Sequence, residues 1–200
     1  MKKIALLFIC ACTLGGCKKA STPNETQTNS IALGNQFIDA FYSFNRDSLQ
    51  SLLSSAKESQ AEILYYQKWA ECAHYHILNR TSLFQKNDSV IILPVTVKDD
   101  LMSALAIDFN VTDTFHITLR DGKIHSVKTS SNDVAEYYQA KEWVKKNRAE
   151  FVEKACEGIW AGGPTPCECV LGMIKGFTDY RKEHIPAVEF SLMPRNVKCS

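Results

Sequence analysis

Asp121-Gly122 stands between two segments that alternate apolar and polar residues, and no other feature of the chain constrains its fold as much. Before it, Phe115, Ile117 and Leu119 alternate with His116, Thr118 and Arg120; after it, Ile124 and Val127 fall within residues 123–128. Alternation with a period of two puts one set of side chains on one face of a strand. A tight type I′ turn needs positive φ at both central residues, which Asp-Gly supplies at little steric cost. The pattern therefore predicts a β-hairpin with one buried face.

The rest of the chain divides around that hairpin. Leu33, Phe37, Ile38, Phe41 and Tyr42 recur at helical spacing until Asn45-Arg46-Asp47 interrupts them. Asp47 is expected to cap a second helix, with Gln50 as its capping-box partner and Leu49, Leu52 and Leu53 as its apolar face. A third helix is predicted over 59–71, packing through Ile63, Leu64 and Trp69, with Tyr65 and Tyr66 at the edge of that face. Tyr75 and Ile77 mark a weak strand, and Lys86-Asn87-Asp88 a turn. Residues 90–97 form a stronger strand with Ile91, Leu93, Val95 and Val97 on one face. Pro94 cannot donate to a ladder, which assigns it an edge or a bulge. Residues 100–106 read as a short helix or a crossing loop. Asp133 is expected to cap a long helix carrying Val134, Tyr137, Tyr138, Val144, Phe151 and Val152, stopped at Gly162-Gly163-Pro164. A last helix is predicted over 169–182, with Val170, Met173, Ile174 and Phe177 buried. Helices followed by an antiparallel sheet make an α+β arrangement.

Two stretches resemble known families. Lys2-Lys3, an apolar run from Ile4 to Thr13, and Leu14-Gly15-Gly16-Cys17 together resemble a bacterial lipoprotein signal peptide ending in a lipobox. The apolar run falls short of the ~20 residues a spanning helix needs. The resemblance implies removal of residues 1–16, lipid on the Cys17 thiol, and a place in the cell envelope. Lys18 stands where an Asp would signal retention in the inner membrane, which implies the outer membrane where there are two. A single acyl chain holds a protein only marginally; the diacylglycerol and amide-linked chain of lipoproteins meet the need for more. Residues 17–30 are polar after the cysteine and are expected to be a flexible tether.

The second resemblance runs through the folded part. Phe37-Ile38-Asp39-Ala40-Phe41-Tyr42-Ser43-Phe44-Asn45-Arg46-Asp47-Ser48-Leu49 is similar to the opening of nuclear transport factor two-like domains of the SnoaL-like type, and residues 115–127 are similar to that family's closing hairpin. The resemblance covers about 31–147. It implies a cone-shaped, curved antiparallel sheet packed on N-terminal helices, a cystatin-like roll with a pocket at its open end. Residues 148–200 lie outside the pattern and are expected to add a helical extension on the same core. The family holds isomerases, dehydratases, cyclases, hydrolases and pure binding modules, so the fold does not decide the function. No catalytic residue of the family can be placed on this chain.

Charge and cysteines limit the remaining choices. The formal net charge is +1 for the whole chain and −1 once Lys2 and Lys3 leave with the signal, which gives no electrostatic case for nucleic acid. Of eight cysteines, Cys10 and Cys12 lie in the signal and Cys17 takes the lipid. Cys72, Cys156, Cys167, Cys169 and Cys199 remain, an odd set in an oxidising compartment. A Cys156–Cys167 bridge is favoured over Cys156–Cys169, with Cys72 to Cys169 or Cys199 as a further pairing. Phe41, Trp69, Phe109 and Phe115, with His76 and His116, are candidates to line a pocket. His116 and His125 can approach across the hairpin, where imidazole suits acid–base work. Cys72, His74 and His76 fall too close together on one strand for tetrahedral zinc, so no metal is expected, nor any cofactor. The reading is a non-enzymatic, membrane-tethered module for a small apolar ligand or an envelope protein. The alternative is an isomerase, dehydratase or hydrolase using a pocket histidine. A homodimer through the outer sheet face is a third expectation, which Pro94 opposes.

Overall fold

The hairpin forms as its sequence requires. β4 (Val111–Arg120) and β5 (Lys123–Ser131) pair antiparallel, and Asp121 and Gly122 between them take φ of +51° and +68°. Gly122 meets that conformation without the Cβ clash other residues suffer. The structure, a computed structural model, describes residues 23–81, 84–87, 89–157 and 167–184. Among them the sheet is five-stranded and antiparallel. β3 (Val90–Lys98) pairs with β4 along one edge. Its other edge is shared by β1 (His76–Arg80) and β2 (Phe84–Asn87). β1 pairs as far as Val95 and β2 begins at Ile92, so Pro94 stands at the junction of the two. The strand that carries this proline is thus internal, and the break between its two partners accommodates the missing donor.

One face of the sheet is apolar and covered by helices. Ile91, Leu93, Val95 and Val97 of β3 point inward with Val111, Phe115 and Ile117 of β4 and Ile124 and Val127 of β5. Over them lie α1 (Pro23–Tyr42) and α3 (Lys57–Cys72), joined by the short α2 (Arg46–Leu52). Gln67 of α3, fully buried, donates to the carbonyls of Ala40 (3.0 Å) and Phe41 (3.1 Å). Those are among the last carbonyls of α1, which have no partner within their own helix. Ser59 accepts from the Val127 amide at 3.0 Å and ties α3 to β5.

Several expected boundaries shift, each for a local reason. α1 begins at Pro23, so residues 23–30 of the expected tether are helical. Proline suits the first helical position, where its absent N–H would be unpaired anyway. The cap of α2 is Asn45, which accepts from the Ser48 amide at 3.0 Å, two residues before the expected Asp47. α4 (Asp100–Leu105) is a true helix, capped by Asp99 and ended by Ala106 at φ +53°. The long helix after the hairpin is two: α5 (Ala135–Asn147) and α6 (Ala149–Val152). Arg148 leaves helical geometry between them, donates to Asp179 (3.2 Å) and Glu183, and lies 4.9 Å over the Trp143 ring. The N-cap of α5 is Val134, which has no side-chain acceptor, and Asp133 accepts from Ser131 and Tyr138 instead of capping the helix.

The final helix, α7 (Cys167–His184), packs against α3, α4, α5 and α6 and buries Val170, Met173 and Phe177 in the core. Disulfides join Cys72 to Cys167 and Cys156 to Cys169, correcting the expected Cys156–Cys167 bridge. Positions two apart on a helix point about 200° away from each other. Cys167 therefore faces the end of α3, while Cys169 faces the segment after α6. Cys17 and Cys199, like the Gly-Pro stop at 162–166, lie outside the described residues. No helix among the described residues is long and apolar enough to cross a membrane.

Candidate functional site: a tyrosine-lined cavity around Asp113

The inward face of β4 reads Val111, Asp113, Phe115, Ile117, so one carboxylate occupies a position that the alternation assigns to the core. Its neighbours across the sheet are Val95 on β3 and Ser131 on β5. Asp113 is only 2% exposed. A carboxylate so placed must be hydrogen-bonded to be tolerated. Tyr42, the last residue of α1, donates its hydroxyl to Asp113 at 3.2 Å, and Tyr66 of α3 hydrogen-bonds to the same carboxylate. Burial pushes Asp113 up to about 6, although both phenol hydrogen bonds favour its charged form; Asp133 and Asp99 add repulsion. Burial also drives the hydroxyls of Tyr42, Tyr66, Tyr75 and Tyr137 above the ordinary phenol range, so they remain protonated donors.

Beside this carboxylate opens a cavity of about 380 Å³. Tyr66, Trp69, Tyr75, Tyr137 and Tyr138 give it aromatic walls; Glu62, Asp113 and Asp133 give it acid; Thr129, Ser130 and Ser131 give it hydroxyl and backbone groups. Asp133 is held by the Ser131 hydroxyl at 2.5 Å and the Tyr138 hydroxyl at 3.3 Å. Among the described residues no basic side chain lines this chamber. A second chamber of about 410 Å³ shares Tyr66, Trp69 and Tyr137 with it. Its remaining walls are Tyr65, Met173, the Cys156–Cys169 bridge, Lys141 and Lys145. A larger hollow of about 760 Å³ between α1 and the β4–β5 turn gathers no comparable set of groups.

Of the residues expected in a pocket, Trp69 alone lines these two chambers. Phe41 and Phe115 are fully buried with Phe37, ring centroids 5.0–6.2 Å apart, and fill the core. Phe109 is half-buried in the connection between α4 and β4 and lines neither chamber. His76 is exposed on β1. His116 lies on the opposite face of β4 from Asp113, three residues along the strand, and meets the Ser130 hydroxyl at 3.3 Å. Lys128, not His125, stands opposite it, and His125 falls at the bulge between the Thr118–Ser126 and Leu119–Ile124 pairs, nearer the turn. His74 precedes β1 in a turn at φ +50° and pairs with Asp100 at 2.7 Å, while Cys72 is oxidised. Among the described residues no three His, Cys, Asp or Glu side chains are grouped to hold a metal.

The chain matches no family model and no curated protein.

The site's central residue had a signal in the sequence. The period-two alternation of β4 extends back from Phe115 through Asp113 to Val111, and an acid on the apolar register marks a buried carboxylate. Reading the alternation only from Phe115 passes over it.

Proposed function

We propose that this is a lipid-anchored protein of the bacterial cell envelope whose folded part binds a small ligand carrying positive charge. The signal-like N-terminus with Cys17 supports the anchor, and the likeness to nuclear transport factor two-like domains supports a cone closed around the helices. One observation carries the ligand's character: five aromatic side chains and three carboxylates surround one cavity. Aromatic faces attract cations through their quadrupole, most strongly where water is excluded. A cavity of this size suits a small molecule held by a few polar groups. A cationic ligand suits this cavity better than a purely apolar one, which would leave the carboxylates of Glu62, Asp113 and Asp133 facing it without a partner.

Native mass spectrometry of the detergent-solubilised protein, taken from its own membrane, tests both parts. The expected mature chain begins at Cys17 with acyl mass and retains a small molecule bearing a basic nitrogen, which Asp113→Asn releases. A different N-terminus without acyl mass removes the anchor. A ligand retained equally by Asp113→Asn removes this site.

A second reading is favoured by the carboxyl near 6 beside phenol donors: acid–base catalysis of the isomerase or dehydratase kind. Its base would be Asp113, since His76 and His116 lie away from the cavity. Turnover of ketone or hydroxy-acid substrates with a rising limb near pH 6, absent in Asp113→Asn, would support it.

A further inference from the structure

The two chambers share a wall of Tyr66, Trp69 and Tyr137, and their charges are opposite. The first holds carboxylates; the second is lined by sulfur and aromatic groups, with Lys141 and Lys145 at its side. Resting on the binding reading above, we propose that the ligand is a short zwitterionic peptide, its ammonium in the Asp113 chamber and its carboxylate at Lys141.

The geometry of α5 supports this. Tyr137, Lys141 and Lys145 are spaced by four and form one stripe along the helix. At 1.5 Å per residue, Lys141 lies about 6 Å beyond Tyr137 and Lys145 about 12 Å beyond it. Asp133 stands just before the start of the helix, at the opposite end of the stripe. Along the axis, the start of α5 beside Asp133 and the backbone of Lys141 are thus about 9 Å apart. A free amino acid is too short for that span, whereas an extended chain covers it with about three residues at 3.3–3.6 Å each.

The two lysines are not equivalent. Lys145 is paired with Glu142 at 2.7 Å. Lys141 takes part in no ion pair among the described residues, and it is half-buried. Burial and the charge of Lys145 push its ammonium below the ordinary lysine value, against the opposing charges of Glu142 and Asp133, neither of which forms a contact ion pair with it. An arriving carboxylate would supply that contact. A simple amine would bring Lys141 no hydrogen-bonding carboxylate, and a fatty acid would set its carboxylate or its tail against Asp113 and Asp133. Only a ligand with both charges satisfies both ends.

Calorimetric titration of the full-length protein in detergent separates the outcomes. The probes are trialanine, trialanine amide, N-acetyl-trialanine and choline. Trialanine is expected to bind about tenfold or more tightly than either blocked form, since each blocked end forfeits a charge-assisted hydrogen bond. Lys141→Gln is expected to abolish discrimination against the amide while keeping discrimination against the acetylated form; Asp113→Asn should do the reverse. If choline binds but trialanine and its amide bind alike, the peptide inference falls and the cation site stands. If no probe binds, both fall.

Discussion

Replacing Asp113 by Asn tests the electrostatic description of the cavity directly. The carboxyl titrates near 6 in the folded protein and at 3.8 in an ordinary unfolded environment. A carboxyl raised in the folded state makes that state bind its proton more tightly than the unfolded chain does. Below about pH 4 both states hold the proton, and the shift contributes nothing. Between about pH 4 and 6 only the folded state holds it, so stability falls as pH rises; above 6 the loss is complete. About two pKa units at 1.36 kcal/mol each make the loss about 3 kcal/mol. Asn has no such titration. It can accept from Tyr42 or Tyr66 through its carbonyl, but its NH₂ replaces an acceptor, at a pH-independent cost of about 1–2 kcal/mol.

The two effects have opposite signs, so the stability curves of the two proteins should cross near pH 5. Wild type should be the more stable in acid and Asp113→Asn the more stable above neutrality. Urea unfolding of both proteins from about pH 4 to pH 8, with disulfides intact, measures the difference, and subtraction cancels the other titrating groups. A difference that does not change with pH would refute the shift. A wild type that gains stability over the variant with rising pH would show that the hydrogen bonds from Tyr42 and Tyr66 outweigh burial, reversing the account of the site.

Two further predictions concern how α7 is held. A Cβ added at Gly172 would lie 2.1 Å from the Phe151 carbonyl oxygen, so Gly172→Ala must push α7 from α6, with an expected loss of about 3 kcal/mol by thermal unfolding; an unchanged Tm would mean that the helices do not meet there. Removing the Cys72–Cys167 bridge, which spans 95 residues, should cost about 4–5 kcal/mol, against about 3 for Cys156–Cys169, which spans 13; peptide mapping that recovers a Cys156–Cys167 linkage instead would overturn both.

The sequence was most legible where one local rule decides the structure. Asp121-Gly122 admits few conformations, and the alternation of residues 90–97 and 115–119 leaves one face to bury; both appear as expected. The helices around Phe37, Ile63 and Phe177 were legible for the same reason, through their apolar spacing. Helix starts were less so, because several polar residues compete for each cap: Asn45 and Asp47 are both good caps, and only the path of the chain selects Asn45. Asp133 looks like a cap and instead serves the cavity, held by Ser131 and Tyr138. The pocket was hardest to read. Tyr66 and Tyr137 recur within apolar helical patterns, and whether a ring packs on another ring or borders open space depends on elements tens of residues away, such as β4 and β5 for Tyr66.

The disulfides show why the tail cannot be separated from the site. Cys72 closes α3, the helix that carries Tyr66 and Trp69, and lies three residues before Tyr75. Its partner Cys167 opens α7, and the next cysteine, Cys169, forms part of the second chamber together with Met173 of the same helix. Two cross-links within the first turn of α7 therefore bind the acidic and the basic chamber to one rigid helix end. The sulfur of Cys156 and Cys169 also contributes wall directly, so the bridge fixes the shape of the second chamber as well as its position. Residues 167–184 complete a cavity that the helices and sheet of residues 31–147 leave open on one side.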